Sequence, residues 1–416
     1  MRQKSEVLVI GGGVIGVCSA LYLTRAGYQV TLLEKKDICS GASHGNACWI
    51  AVAHSEPVAA PGVITQGLKW LLDNKSPFYI KPRINLDLMR WLWQFRKAST
   101  VEQAERGTRI NLALSRQSLS LYKELVEEGL AFDFAQKGLL HVHLSEKAKK
   151  AGKAELSRLK RFGIEGRMLR KHELKTLEPG LSAEIESGTF YPEPAQVRPH
   201  KMVQAIATQA EKEGACIHTG IAVKRLETRS GEVVAVHTDR GLFSGDHVVL
   251  AAGAWTSILA KSLGIYLCME PAKGYSLTAK RPTPLHGPSR AVSVDDYKLA
   301  VSPLGPNFRF SSTLALAGFD PSINRKRLAT NSEGLNRVYS GMEDLKVIET
   351  WSGYRPLTAD SLPIIGKMPG LDNLIFATGH GMLGMTQGSV TGKLVSQIVA
   401  NERTSVDLNP LRPNRF

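Results

Sequence analysis

Apolar and polar positions follow two different periods at the start of the chain. Residues 7–10 form a continuous apolar run, which is typical of a strand buried on both faces of a parallel sheet. Apolar positions at helical spacing follow over residues 14–25, and Gly27 ends that segment. A second apolar run occupies residues 29–33. The order predicts a strand–helix–strand unit.

The turn between the first strand and the helix carries three glycines in G-x-G-x-x-G spacing, Gly11, Gly13 and Gly16. The first permits a tight turn, the second lets the backbone approach a pyrophosphate, and the third lets the helix pack on the strand. Glu34 ends the second strand, where a carboxylate can bind ribose hydroxyls. The unit therefore predicts a dinucleotide site, with Val14, Ile15 and Lys35 as further contacts; a glycine-rich turn in an ordinary α/β domain would leave Glu34 unexplained.

The pattern along the rest of the chain alternates between helical and strand segments. Helices are predicted near 65–72, 85–95, 101–128, 197–214, 324–339 and 383–400. Strands are predicted near 139–144, 215–218, 222–229, 233–238, 242–244, 246–250, 275–279, 298–302, 308–316, 347–355 and 374–377, with a proline-rich loop over 356–365. The predicted fold is α/β (α+β overall). A discontinuous Rossmann-like domain comprises 1–60, 196–268 and 356–416, and a mixed β/α substrate domain comprises 61–195 and 269–355.

Three further segments rich in small residues suit close contact with a ligand: 40–47, 251–255 and 379–384. Folds that bind FAD wrap it with a second loop after the second strand and point the N-terminus of a C-terminal helix at the flavin. Both features favour FAD over NAD. The predicted contacts in these regions are Ser40, Ser43, His44, Gly45, Asn46, Ala252, Gly253, Trp255, Gly379, His380, Gly381, Met382, Leu383 and Gly384, and Val223 in the strand at 222–229 is a further one.

These motifs together resemble one flavoprotein family. They are VLVIGGGVIGVCSALYLTRAGYQVTLLE, SGASHGNA, VVLAAGAWT, KGYSLT, WSGYRPLTADSLPIIGK and GHGMLGMTQGSVTGKLVSQIV. In this order they resemble the small subunit of the D-amino-acid dehydrogenases, within the D-amino-acid oxidase and glycine oxidase superfamily. The resemblance implies non-covalent FAD and oxidation of an amine beside a carboxylate. It also implies hydride transfer from the α-carbon to flavin N5, with electrons passed to a quinone or another carrier.

The chain departs from the family pattern at 46–48 and at 309–314, both near the expected active site. A D-amino acid remains the expected substrate, including a secondary amine such as D-proline or D-hydroxyproline. The alternatives are a sarcosine or glycine oxidase-like activity, an opine oxidase subunit, oxidation of a 2-hydroxy acid, and a flavin-binding subunit without turnover.

Four residues are candidates for binding the substrate. Arg355 can hold a carboxylate by two parallel hydrogen bonds, or it can pair with Asp360. Tyr275 and Tyr354 can donate hydroxyl hydrogen bonds, or they can be half-buried aromatic residues of strands. Arg309 is either a second carboxylate contact or an outward-facing charge.

Three histidines lie in or beside these motifs. His44 and His380 are expected to border the flavin, and His54 to reach the pocket. A single histidine is more often structural than catalytic, so each keeps both interpretations. The backbone amides of residues 381–383 can stabilise an anionic reduced flavin without any particular side chain.

The net positive charge bears on whether the protein binds nucleic acid or a membrane. The 416 residues carry a formal net charge of +15, and basic residues concentrate over 147–171. That segment lacks interleaved aromatic residues, so we expect a solvated helical face and no nucleic-acid partner. The stretch LDLMRWLWQF at 86–95 has basic flanks and can lie on an anionic membrane near a quinone, or be a core-facing helix.

The cysteines and the lengths of the apolar runs indicate the cellular compartment to expect. There is no C-x-x-C pair among the five cysteines, so reduced thiols and no metal site are expected. There is also no apolar run long enough for a membrane span, and the first strand begins too early for a signal peptide. A cytoplasmic location is expected, with peripheral contact at the cytoplasmic face of the inner membrane as an open alternative.

Overall fold

The computed structural model describes residues 5–65, 67, 78–282 and 287–416. The helix predicted at 65–72 falls largely outside these residues. Helices and strands are numbered below in chain order.

The first sheet has six strands and is almost entirely parallel. Its order is β19 (Ile364–Met368), β20 (Leu371–Thr378), β13 (His247–Leu250), β1 (Glu6–Ile10), β2 (Gln29–Leu33) and β9 (Cys216–His218). Only the β19–β20 pairing is antiparallel. The strands come from three separate stretches of the chain, while the domain boundaries given above stay a prediction.

Both faces of this sheet are covered, as the continuous apolar run at 7–10 predicts. Val7 and Val9 pack in a core with helices α1 (Val14–Arg25) and α9 (Gly384–Val399). Leu8 and Ile10 point to the other face, which a three-stranded antiparallel meander covers. The meander consists of β10 (Val223–Arg229), β11 (Glu232–Thr238) and β12 (Gly241–Phe243).

The second sheet has nine strands and is mostly antiparallel. Eight of them follow the order β18 (Val347–Thr358), β14 (Met269–Lys280), β17 (Asn307–Leu316), β16 (Leu299–Leu304), β15 (Ala291–Val294), β5 (Leu139–His143), β7 (Ser187–Tyr191) and β6 (Arg167–Arg170), and β4 (Phe78–Ile80) pairs with β17. The β15–β5 and β17–β4 pairings are parallel. A two-stranded ribbon joins β3 (Trp49–Ile50) to β8 (Ala195–Gln196).

The other helices flank the two sheets. They are α2 (Leu86–Ala98), α3 (Val101–Glu127), α4 (Glu146–Lys160), α5 (Lys171–Leu177), α6 (Pro199–Lys212), α7 (Thr256–Lys261) and α8 (Arg325–Val338). Short 3₁₀ turns lie at Val52–His54, Gly253–Trp255 and Asn409–Leu411. Within the described ranges, there is no helix with the length and apolar character needed to cross a membrane.

The structure confirms the mixed α/β class and most predicted elements, including the opening strand–helix–strand unit. The proline-rich loop predicted from 356 is wrong at its start, because β18 continues through Pro356 to Thr358. This strand lies at the sheet edge and pairs with β14 along its length. A proline is tolerated there because its missing N–H is not needed for a second neighbour.

Candidate active site

A cavity of about 1480 Å³ lies between the carboxyl ends of the parallel strands and the face of the nine-stranded sheet. This is where ligands bind in open α/β sheets, and the volume exceeds the roughly 300–1,000 Å³ of an ordinary small-molecule pocket. The predicted residues that line it are Gly11, Gly13, Val14, Ile15, Glu34, Lys35, Ser40, Ser43, Gly45, Asn46, Val223, Ala252, Gly253, Trp255, Tyr354, Arg355, His380, Gly381, Met382, Leu383 and Gly384.

The glycines of the first turn serve different purposes. Gly11 has φ +114°, and a Cβ there would lie 2.6 Å from the carbonyl oxygen of Ala251. A Cβ at Gly16 would overlap the carbonyl oxygen of Gly11, so this glycine lets α1 pack on β1 and does not line the cavity. Both glycines are therefore required by the fold itself.

Gly13 differs, and it tests whether the cavity fits a dinucleotide. Its φ is an ordinary −78°, and among the described atoms only Ser43 Oγ would come within 4 Å of an added Cβ, at 3.3 Å. Folding alone would tolerate a side chain there. The open space faces the cavity at the N-terminus of α1, where backbone amides and the helix dipole favour a pyrophosphate. The residues present fit the phosphates of FAD.

Glu34 is fixed in place by the backbone. One carboxylate oxygen accepts from Gly12 N at 2.7 Å and the other from Lys36 N at 2.9 Å. The carboxylate lines the cavity, and each oxygen keeps further acceptor capacity for a ribose hydroxyl. Beside it the ammonium of Lys35 lies 3.3 Å from the ring centroid of Trp255, and burial lowers the pKa of Lys35.

The loop at 40–47 is held from two sides. Ser43 Oγ accepts from Val14 N at 3.0 Å, which ties the loop to α1. On the other side, the Arg309 guanidinium donates to the carbonyl oxygens of His44 and Asn46 and pairs with Glu349 at 3.0 Å. Arg309 is 4% exposed and does not line the cavity. The assignment of Arg309 as a substrate contact is therefore wrong. Arg309 instead holds the loop at 40–47 in place through hydrogen bonds.

His44 also points away from the cavity. Its Nε2 lies 2.6 Å from Glu349 Oε1, in the same ion-pair cluster as Arg309. Burial works against the Glu349 charge, but the hydrogen bonds from His44 and Thr278 hold the pKa of Glu349 below its ordinary value. The expectation that the His44 side chain borders the flavin is not supported, while its loop neighbours do line the cavity.

The start of α9 closes another side of the cavity. Gly379 has φ +79° and packs on Thr358, so it forms the turn and does not line the cavity. His380 is 4% exposed and lines it. His380 Nε2 donates to Thr391 at 2.9 Å, since the Thr391 hydroxyl itself donates to Gln387 O. His380 Nδ1 has no hydrogen-bond partner in the described part of the chain, and burial lowers the pKa of His380 to about 3. An orphaned acceptor here suits an N–H of a bound ligand.

Arg355 and Tyr354 both line the cavity. The Arg355 guanidinium packs on the backbone of Gly274, in the neighbouring strand β14, and burial lowers the pKa of Arg355 to about 10. It still carries its charge at neutral pH. Asp360, its sequence-predicted alternative partner, receives two hydrogen bonds from Arg415, at 2.7 and 2.9 Å.

Tyr275 is placed elsewhere. Its side chain is 2% exposed, and its hydroxyl accepts from Asn324 N at 3.3 Å instead of reaching the cavity. The Lys273 ammonium lies 5.7 Å from the centroid of the Tyr275 ring and donates to the carbonyl oxygens of Asp320 and Ser322. The segment that precedes α8 therefore holds both side chains. The assignment of Tyr275 to the substrate is therefore wrong.

A cluster of ionisable side chains lies in the cavity wall. Of its members, only His54 was predicted from the sequence. His54, His141, Glu155, Asp295 and Lys298 all line the cavity. His141 and His143 alternate within an otherwise apolar strand, which was the one available signal of a polar feature. Side-chain nitrogen and oxygen atoms of His141, Glu155 and Asp295 lie within 4.8 Å of one another. The expectation of no metal stays a prediction.

Comparisons with known proteins agree with this geometry. A family model described as FAD dependent oxidoreductase matches residues 6–398. A D-amino acid dehydrogenase from Vibrio vulnificus strain CMCP6 is 33% identical over 404 residues, covering 96% of this chain and 97% of the relative.

Two solved structures share the fold. Glycine oxidase from Geobacillus kaustophilus superposes with a TM-score of 0.80 at 23% identity, over 99% of this chain and 100% of that one. L-proline dehydrogenase from P. horikoshii superposes with a TM-score of 0.76 at 22% identity, over 100% of this chain and 98% of that one.

Proposed function

The chain belongs to the FAD-dependent oxidoreductase family, and we propose that it oxidises a D-amino acid at the bond between the α-carbon and nitrogen. Its cofactor is FAD, and it acts on CH–NH donors. The observation that carries the proposal is the half-buried Arg355 charge in the wall of the cavity that holds the FAD cradle. The D-amino acid dehydrogenase from Vibrio vulnificus supports the choice of substrate class.

Bound FAD, held without a covalent link, supplies the acceptor for the hydride that leaves the substrate α-carbon. Glu34 and the amides at the start of α1 hold its adenosine and phosphate end. Residues 381–384 present backbone amides at the start of α9, where positive dipole charge stabilises an anion.

Arg355 binds and orients the substrate carboxylate. A guanidinium matches a carboxylate by two parallel hydrogen bonds, and its burial makes the pairing stronger than it would be in water. Tyr354 lies beside it, with its ring edge-to-face on Trp255 at 5.8 Å and on Phe319 at 5.2 Å. This aromatic packing fixes the wall next to the guanidinium.

Secondary amines belong to the proposed substrate range. The structural neighbour L-proline dehydrogenase carries out its named reaction on this fold, which supports testing D-proline and D-hydroxyproline alongside primary amines. Glycine and sarcosine are the second candidate, since glycine oxidase shares the fold.

Product analysis tests the proposal and separates its alternatives. Turnover of a D-amino acid with a soluble quinone should release a 2-oxo acid and ammonia, or a cyclic imine from D-proline, with little peroxide in air. Turnover of 2-hydroxy acids without ammonia would replace the proposal with hydroxy-acid oxidation. Peroxide formation from glycine or sarcosine would favour an oxidase.

Gly274 positions Arg355, which gives a prediction away from the cavity. A Cβ at Gly274 would overlap the guanidinium, so Gly274→Ala must displace it. We expect kcat/KM to fall on the order of tenfold or more, mainly through KM, with FAD content unchanged. The matched control is Ser276→Ala on the same strand, because that buried hydroxyl has no partner within the described residues. Equal kinetics in the two variants would contradict the positioning role.

We also propose that helix α2 docks on an anionic membrane and so brings the cavity near a quinone. One face of α2 packs inward through Leu88 and Trp91, while Leu86, Met89 and Trp93 are 70%, 60% and 59% exposed. Exposed basic residues Arg90, Arg96 and Lys97 flank this apolar face. Such a face gains from lipid contact, and the same helix lines the cavity through Leu92, Phe95 and Arg96.

Vesicle binding tests this docking. Affinity for phosphatidylglycerol vesicles should exceed that for phosphatidylcholine vesicles and fall with salt. Met89→Ser with Trp93→Ser should weaken it roughly tenfold or more, since the two side chains lose their burial in lipid. The control is Leu242→Ser, an equally exposed residue (66%) on the meander. Equal binding by all three proteins would exclude α2 as the contact.

A further inference from the structure

Three ionisable side chains of the cavity wall, His54, His141 and Asp295, are close enough to exchange a proton, and a fourth lies nearby. His54 Nε2 is 3.0 Å from His141 Nε2. His141 Nδ1 is 3.2 Å from an oxygen of Asp295. The carboxylate of Glu155 completes the group, with ligand atoms of His141, Glu155 and Asp295 all within 4.8 Å of one another.

These side chains come from four separate elements. His54 ends the 3₁₀ turn at Val52–His54, His141 lies in β5, Glu155 in α4, and Asp295 directly follows β15. The parallel pairing of β15 with β5 sets Ser293 opposite His141 and so brings Asp295 alongside it. His141 is 4% exposed. His54, Glu155 and Asp295 are half-buried. A buried ionisable group costs free energy unless it is paired, and the contacts of His141 with His54 and Asp295 supply that pairing.

The hydrogen bonds define where protons reside. Burial opposes a charge on Asp295, but His141 outweighs it and holds the pKa of Asp295 well below its ordinary value. Asp295 is therefore an acceptor for His141 Nδ1–H. Burial likewise acts against a charged His141, but Asp295 raises the pKa of His141 overall. Burial lowers the pKa of His54 to about 3, with His141 adding to the effect, so His54 is neutral.

The two histidines share one hydrogen between their Nε2 atoms when both are neutral. His54 Nδ1 accepts no hydrogen bond from the described residues, and His54 lines the cavity. The chain of hydrogen bonds thus starts at His54, which lines the cavity, and ends at the carboxylate of Asp295.

Oxidation at the α-carbon creates a need for such an acceptor. A substrate amine arrives as an ammonium ion with a pKa of about 10, comparable to that of a lysine side chain. Only roughly one molecule in a thousand is neutral at pH 7, and the nitrogen lone pair must be free when the hydride leaves.

We propose that His54, backed by His141 and Asp295, removes the proton from the substrate ammonium group. This inference rests on the proposed function. The substrate N–H bond breaks and its electron pair stays on nitrogen, while a bond forms from the proton to His54 Nδ1. His54 passes its own Nε2 proton to His141 Nε2, and the positive charge then rests on His141 beside Asp295. No electrons are transferred in this step.

Other charged groups lie near His54, His141 and Asp295, which together form the proposed relay. These groups affect how the rate of flavin reduction depends on pH. His143 Nδ1 lies 3.5 Å from Asp295, and Lys298 lies on the cavity side. The Tyr191 ring stands 5.2 Å from His141, and burial raises the pKa of Glu155. The relay accepts a proton only while His141 is neutral. The rate should therefore fall as the pH drops through the raised pKa of the cluster, and reach a plateau above it.

His54→Gln gives the direct test, in FAD-loaded protein reduced anaerobically by D-proline and by D-alanine. Without the relay, the rate depends on substrate that is already neutral in solution. The second-order rate constant of reduction should fall on the order of 10²–10³-fold near pH 7 and approach the wild-type value near pH 10. A merely structural role would lower the rate equally at every pH. A uniform loss, or none, would overturn the proposal.

Asp295→Asn should shift the pH dependence of the reduction rate in a defined direction. Removing the carboxylate lowers the pKa of His141, so the acidic limb should shift to lower pH by about a unit or more, with a lower plateau. The matched control is His143→Gln, which removes a histidine beside Asp295 that does not line the cavity. His143→Gln should shift the acidic limb less than Asp295→Asn does, because it leaves the contact between His141 and Asp295 in place. An unshifted limb in Asp295→Asn would contradict the relay.

Histidine ring titration by NMR supplies a readout that needs no turnover. In the wild type, the His54 signals should change through the pH range in which His141 takes up its proton, although His54 itself stays neutral, because the two rings share one hydrogen between their Nε2 atoms. The His54→Gln variant should simplify the His141 curve. Independent titration of the two rings would overturn the relay even if no amine reduced the flavin. Failure of every amine, with the coupled titration intact, would count against the proposed substrate and not against the relay.

Discussion

Replacing Gly13 by valine is expected to leave the protein folded and to abolish FAD binding. The backbone at Gly13 has an ordinary conformation, and only Ser43 Oγ, at 3.3 Å, lies within 4 Å of an added Cβ among the described atoms. The branched side chain would instead fill the space where the cradle admits the pyrophosphate. Flavin absorbance of the desalted protein, after incubation with FAD, measures the loss, and circular dichroism checks the fold.

Two further variants make the prediction specific. Gly13→Ala should retain part of the FAD affinity, because a methyl group fills less of the cradle. Gly16→Ala should fail differently, since its Cβ would overlap the Gly11 carbonyl oxygen and prevent α1 from packing on β1. A Gly13→Val protein that is yellow and fully loaded would contradict the assignment of the cradle.

Removing the guanidinium in Arg355→Ala should retain FAD and lower kcat/KM on the order of 10²-fold or more. Arg355 lines the cavity with a half-buried charge, and its loss leaves the substrate carboxylate without its partner. Steady-state kinetics with a D-amino acid, together with the FAD content, separates this loss from unfolding.

Arg355→Lys is the matched control for charge alone. Lysine keeps the positive charge but cannot form two parallel hydrogen bonds, so it should recover only part of the lost efficiency. Affinity for a simple carboxylate inhibitor should follow the same order, with wild type above lysine above alanine. Unchanged kinetics in Arg355→Ala would rule out the carboxylate contact.

The cofactor half of the cavity could be predicted from the sequence because its signals are local. Gly11, Gly13, Gly16 and Glu34 follow a fixed spacing, and the strand–helix–strand geometry places them at one end of a parallel sheet. The small-residue loops after the strands likewise depend on their neighbours in the chain. These predicted residues line the cavity with few exceptions, Gly16, His44 and Gly379.

The substrate half depends on long-range packing, which the sequence does not encode locally. Arg309 is drawn to the carbonyl oxygens of His44 and Asn46 and to Glu349, partners far away in the chain. The Tyr275 hydroxyl is held by the backbone of Ser322 and Asn324, 47 and 49 residues further along the chain. His141 and Asp295 meet because β5 and β15 pair in parallel across a separation of more than a hundred residues. None of these contacts follows from spacing.

The most direct test of the central claim is anaerobic mixing of the FAD-loaded protein with a panel of amines. The panel contains D- and L-amino acids, D- and L-proline, D-hydroxyproline, glycine and sarcosine, with 2-hydroxy acids for comparison. We predict that at least one D-amino acid bleaches the flavin absorbance fully, faster than its L-isomer and faster than any hydroxy acid. A flavin that stays oxidised with every amine would contradict the account.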